Sequence, residues 1–173
     1  MMLMLGGSAL FAQGFGLRTN VLGWLSCGTI NAGVEYQFKQ HVSIDLDVYA
    51  NPFVFGNQRR ATHFSSSLAA NFFFCEAIQG SYLGIHGRYC NYDAGMNVYN
   101  YDGMSIGGGI HYGYLLPLNQ HWGMDFTIGV GYTHYEYDLE AREYATGDHE
   151  MFGNKTENHW GITRLGVSFL YKF

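Results

Sequence analysis

The feature that most constrains this chain is its closing run, residues 159–173 (HWGITRLGVSFLYKF). Read with a period of two, Leu165, Val167, Phe169, Tyr171 and Phe173 fall on one face. Arg164, Gly166, Ser168 and Lys172 fall on the other, with Leu170 as the one apolar exception. Successive side chains of a strand point to opposite faces, so alternation over this length predicts a strand apolar on one side and polar on the other.

The same period recurs along the chain and predicts seven further strands. The first covers 14–25 with a blurred pattern: Leu17, Val21 and Leu25 share a face with Thr19, opposite Arg18 and Asn20. The second, 30–38, sets Ile30, Ala32, Val34, Tyr36 and Phe38 against Asn31, Gly33, Glu35 and Gln37. The third, 42–49, sets Val42, Ile44, Leu46 and Val48 against Ser43, Asp45 and Asp47. The fourth, 63–75, sets Leu68, Ala70, Phe72 and Phe74 against Ser65, Ser67 and Asn71. The fifth sets Leu83, Ile85 and Tyr89 against His86 and Arg88 and then dissolves into a Tyr/Asn-rich loop. The sixth sets Ile106, Ile110, Tyr112 and Tyr114 against Ser105, Gly109 and His111, and the seventh sets Trp122, Phe126, Ile128 and Tyr132 against Asp125, Thr127 and Gly129. Turn residues place long loops at 51–62, 91–102 and 139–158, and short turns after the second, fourth and sixth strands.

Eight strands, an even number joined alternately by short turns and long loops, predict an all-β fold: a closed, eight-stranded antiparallel transmembrane β-barrel of outer-membrane type. Both termini then lie on the periplasmic side, and residues 14–173 form one domain. Charged residues are only 13% of the chain against roughly 25% in soluble domains, and aromatics reach 17%. That balance suits strands facing lipid, banded by interfacial Tyr and Trp. After Gln13 no apolar run approaches the 18 or so residues of a spanning helix, so any crossing is made by strands. The glycine- and serine-rich face suits the narrow lumen of eight strands, which side chains just fill. Arg18, Arg88 and Arg164 point into it with Glu35, Asp45, Asp47 and Asp125, nearly matched in sign, as a water-poor interior requires. A lumen so plugged conducts no solute.

Residues 1–13 read as the back half of a secretory signal peptide lacking its basic start, and a longer precursor is expected. Cys27, Cys75 and Cys90 fit no metal spacing and no disulfide framework and read as buried small apolar residues. A net charge of −5 without a Lys/Arg cluster argues against a nucleic-acid partner.

The aromatic ending, with Phe169, Tyr171 and Phe173 as its elements, resembles the terminal strand by which outer-membrane barrels are handed to their assembly machinery. The stretches Arg18-Thr19-Asn20-Val21-Leu22-Gly23-Trp24, Asn31-Ala32-Gly33-Val34-Glu35, 82–86, 107–114 and 128–137 resemble, in order and spacing, a Bacteroidota outer-membrane family known as domain of unknown function 3575. The chain departs from it at Gly23, where a bulkier residue is expected, and in its 140–158 loop. The resemblance implies a small outer-membrane barrel and no catalytic residues. The expected partners are outer-membrane lipid and lipopolysaccharide, the assembly machinery and other members of an outer-membrane complex, with no cofactor.

Two other chemistries compete. Lipid A acyltransferases and deacylases of this size need a base, a carboxylate and a nucleophile on the lipid-facing rim. His134 and Glu136 supply the first two, but Ser66, the outward serine, lies on a distant strand. Asp148, His149, Glu150 and His159 carry cation ligands without a metal signature, and a solvated loop is the expected reading. A soluble lipocalin-like binder would need the apolar face inside. On balance a structural or interaction protein, not an enzyme, is expected.

Overall fold

The computed structural model describes residues 14–26, 28–55, 59–75, 79–96, 99–142 and 149–173. The expected signal segment 1–13, Cys27 and Asp148 lie outside these residues, as do the side chains of His149 and Glu150. In chain order the elements are β1 Phe15–Asn20, α1 Val21–Leu25, β2 Ile30–Lys39, β3 Val42–Asn51, β4 Val54–Phe55, β5 Arg59–Phe73, β6 Gly80–Met96, β7 Tyr99–Pro117, β8 Trp122–Arg142 and β9 His149–Lys172. Among the described residues no helix is long and apolar enough to cross a membrane.

Each long strand pairs antiparallel with its sequence neighbours, and β3 pairs β5 across the two-residue β4. The ring closes where β1 meets β9, from Gly16 opposite Lys172 to Asn20 opposite Ser168. Eight strands thus leave no open edge at that level, which removes the unpaired backbone groups a flat sheet would present. The alternation sorts as expected: Arg18, Glu35, Asp45, Asp47, Asn71 and Asp125 are buried within the ring, while Ile44, Leu68, Ile85, Ile110 and Ile128 are exposed on its outside. Leu170, the exception in the last strand, is 2% exposed. It packs inside the ring with Phe73, Tyr82 and Leu115, at the end where β5 turns into β6 and β7 into β8. An apolar plug thus closes that end.

Several expectations are corrected. The first strand stops at Asn20 rather than running to residue 25. The Asn20 side chain accepts the Leu22 N–H (3.0 Å) and starts the helix α1, which is the N-cap role Asn favours. Asn31 then substitutes for a strand neighbour: its Oδ1 accepts the Asn20 N–H (2.5 Å) and its Nδ2 donates to the Asn20 carbonyl (2.9 Å). A Cβ on Gly23 would meet that same Asn31 Nδ2, so the glycine there has a packing reason. The loops expected at 91–102 and 139–158 are largely strand. Hairpins β6–β7 and β8–β9 remain paired out to Met96 opposite Tyr99 and Arg142 opposite His149. Their Tyr, Asn and Thr residues keep the ladder going without an apolar face to bury, so the period-two signal fades while the hydrogen bonding persists. Cys75 is exposed rather than buried.

Two local devices shape the ring. Gly109 and Gly131 lie directly opposite, and a Cβ on either would strike the other strand's backbone, so only glycine permits the close approach of β7 and β8. Next to them the register of β8 against β9 jumps from Gly129–Arg164 to Val130–Ile162, leaving Thr163 as the extra residue of a bulge. One extra residue reverses the facing of everything beyond it. The bulge turns both Thr163 and Arg164 inward, and puts Ile162 and Trp160 on the outside at 65% and 76% exposure.

Candidate functional site

Arg18 stands at the centre of the interior. Its place on β1, the strand where the ring closes, lets one guanidinium reach three other strands. Nη2 lies 2.8 Å from Asp125 on β8, Nη1 3.4 Å from Asp45 and Nε 3.3 Å from Asp47 on β3, and Nη1 4.0 Å from Glu35 on β2. Arg164 Nη2 adds bonds to Asp45 (2.8 Å) and Asp47 (3.3 Å). Gly33 belongs to the same arrangement, for a Cβ there would run into Asp47 and Arg18. The structure therefore brings together six of the seven residues expected to share a charge network, and Arg88 is the correction. It is exposed and forms no ion pair among the described residues.

Without Arg88 the near-balance of signs is lost: two guanidiniums face four carboxylates. Neutral donors cover the difference. Ser43 donates to Glu35 (2.7 Å), Asn71 to Asp45 (2.8 Å), and Tyr82 and Thr127 to Asp125 (2.8 and 2.9 Å). Removing charges from water costs several kcal/mol per ion, so a cluster this enclosed holds only if its remaining lone pairs find donors.

A second buried group went unrecognised in the sequence. His86 and His111 contact through their Nδ1 atoms at 3.2 Å, His111 Nε2 lies 2.7 Å from Asn71 Oδ1, and His86 Nε2 lies 2.8 Å from Thr163 Oγ1. The donors can be assigned in turn. Asn71 spends its NH₂ on Asp45 and Ser43, so its Oδ1 accepts from His111 Nε2–H. With neutral rings, His111 Nδ1 then accepts from His86 Nδ1–H, and His86 Nε2 accepts the Thr163 hydroxyl. The result is one polarised chain from Thr163 to Asp45. Both histidines stand at inward positions of the alternation, so their burial was legible. Their pairing needed the register of β6 against β7 and the Thr163 bulge.

These side chains fill the half of the interior nearest the apolar plug. The other half is not filled, contrary to expectation. It holds cavities of about 310 and 360 Å³ that share Arg88, His63 and Thr163.

On the outer face His134 Nδ1 lies 2.7 Å from Asn158 Oδ1 and Nε2 lies 3.3 Å from Glu136. Both ring nitrogens are engaged. Ser66 lies in the same cross-strand row, through Tyr89 and Ile106, but three strand spacings away, roughly 14 Å. Base and serine therefore do not meet. Further out, Tyr137 donates to Glu157 (2.7 Å), and this bond to a carboxylate pushes the phenol up to about 12. No group of three metal-ligating side chains gathers among the described residues, and His159 is exposed. Of the terminal aromatic residues, Phe173 donates its N–H to the Phe15 carbonyl (3.0 Å), and its ring contacts Phe15 and Tyr171.

A family model described as a protein of unknown function, DUF3575, matches residues 1–173. No characterised protein and no solved structure matches the chain.

Proposed function

The chain belongs to the DUF3575 family, and we propose that it is a small β-barrel of the bacterial outer membrane, structural or interaction in type and not a channel. The extended hairpins β6–β7 and β8–β9, with the adjoining ends of β3 and β5, reach beyond the outer surface, toward surface partners or as part of an outer-membrane complex. Both termini lie in the periplasm.

The observation that carries this reading is the order of exposed side chains along β5, β8 and β9. On β8 they run Trp122, Phe126, Ile128, Val130, Tyr132; on β5 and the residue after it, Phe64, Leu68, Phe72, Phe74; on β9 and the residue after it, Trp160, Ile162, Leu165, Phe169, Phe173. Aliphatic residues hold the middle and aromatic residues both ends, which is the girdle pattern of lipid-facing strands. From Trp122 to Tyr132 is about ten steps of ~3.4 Å, and a tilt of about 40° reduces that to a height of roughly 26 Å. An apolar band of about 25 Å is what an outer membrane requires. A water-soluble binder of the same topology would leave this belt unsatisfied and its charges inside. The lipid-modifying reading is weakened by the engaged His134 and the distant Ser66.

Membrane fractionation and gel mobility test the reading. The protein is expected with the outer membranes, migrating faster unheated than boiled, as closed barrels do. Recovery in a detergent-free periplasmic fraction would overturn it.

A further inference from the structure

The unfilled half of the interior carries a cation without an opposite charge. Arg88 projects from β6 into both cavities, is exposed, and forms no ion pair among the described residues. In the cavity of about 360 Å³ it shares the wall with Arg164, whose side chain is 10% exposed and whose Nη1 is buried without a hydrogen-bond partner among the described residues. Asp47 also lines this space, but it is held by Arg18 and Arg164. Arg164 is paired with Asp45 and Asp47, so the uncompensated positive charge on this wall is that of Arg88. Neutral donors stand beside the two guanidiniums. Ser67 lies directly opposite Arg88, Ser65 opposite Tyr49, and Tyr49 accepts from Asn20 so that its own hydroxyl hydrogen is left to donate.

We propose that this cavity is a binding site for an oxyanion carried on a small soluble molecule, a carboxylate or phosphate group seated on the Arg88 guanidinium. A guanidinium presents two parallel N–H groups that match two oxygens of such a group, and charge-assisted pairs of this kind are about twice as strong as neutral ones. The Ser65, Ser67 and Tyr49 hydroxyls supply further donors, while the Thr163 hydroxyl is committed to His86. Access is from the end away from the apolar plug. The smaller cavity shares Thr62, His63 and Tyr92 with a wide hollow of about 680 Å³ at that end. The ligand enters the ring interior and not the outer face, so an anionic lipid headgroup is the wrong source.

Phenylglyoxal, which modifies accessible arginines, tests this on the full chain in detergent micelles, with modification of Arg88 followed by peptide mass spectrometry. Inorganic phosphate, and separately acetate, should slow modification of Arg88 at least fivefold and saturably, at an ionic strength held constant with sodium chloride. Line broadening of the phosphate ³¹P resonance should appear with the unaltered chain, fall at least tenfold in Arg88→Gln, and fall less in Arg88→Lys, which keeps charge but not the paired donors. Protection no greater than chloride gives, or phosphate broadening retained in Arg88→Gln, overturns the site. Protection that comes only from phosphatidylglycerol vesicles overturns the soluble source. If Arg88→Gln does not fold, protection of the unaltered chain decides the matter.

Discussion

Ile128→Arg separates a lipid-facing ring from a water-facing one. Ile128 sits near the middle of the apolar run from Trp122 to Tyr132 on β8, on the outer face at 50% exposure, between Tyr112 of β7 and Leu165 of β9. In water, a charged residue at such a half-exposed surface site changes stability by about 0.5 kcal/mol or less. At the midplane of a bilayer the same side chain costs about 2–4 kcal/mol, falling to about 0–1 near the interface. At 1.4 kcal/mol per tenfold, the midplane cost is roughly 30- to 700-fold in the folding equilibrium. Reversible urea unfolding in lipid vesicles, followed by tryptophan fluorescence, reads this directly, with Tyr132→Arg as the interfacial control four residues along. The expected order is a large loss for Ile128→Arg and a smaller one for Tyr132→Arg. Equal losses below about 0.5 kcal/mol for both would refute the lipid-facing belt. Thr127→Arg is expected to fail by a different route. Thr127 is 4% exposed and hydrogen-bonded to Asp125 and Tyr82, so the added bulk meets a packed interior rather than a free carboxylate.

Arg18→Met leaves Asp125 without a cation and Asp45 and Asp47 with Arg164 alone, so denaturant unfolding should show a loss of about 3–5 kcal/mol; a loss under 1 would mean that the cluster does not hold the ring. Deleting Phe173 should lower the amount of heat-modifiable protein in outer membranes far more than Phe169→Ala, since Phe173 is the terminal aromatic residue of the proposed assembly signal; equal small effects would make the ending an ordinary strand. In planar bilayers the protein should give no current above background, because Phe73, Tyr82, Leu115 and Leu170 plug one end; stable large single-channel steps would refute this. Gly109→Val should abolish the heat-modifiable form, since a Cβ there meets the β8 backbone; normal mobility would show that the two strands can separate at that point.

Much of the fold is legible in local pattern. A strand repeats every two residues whatever surrounds it, so the alternation alone assigned Arg18, Glu35, Asp45, Asp47 and Asp125 to one side and Ile44, Leu68 and Ile128 to the other. It also marked Leu170 as an exception. What alternation cannot carry is register and curvature, which depend on strands far apart in the chain. Arg18 meets Asp125, 107 residues away, only because the ring closes β1 onto β9. Arg88 has the same inward facing as Arg18 and the same chemistry, yet forms no ion pair among the described residues, because facing fixes the side of the wall and not which side chains meet across the interior. The Thr163 bulge depends on the pairing of β8 with β9, and it alone turns Trp160 outward. The height of the hairpins was hidden for the opposite reason: backbone hydrogen bonds continue where no buried face imposes a period. Within each regular run the sequence determined which side chains are inside; the closed sheet decided where a bulge reverses that facing and which of the inward side chains meet.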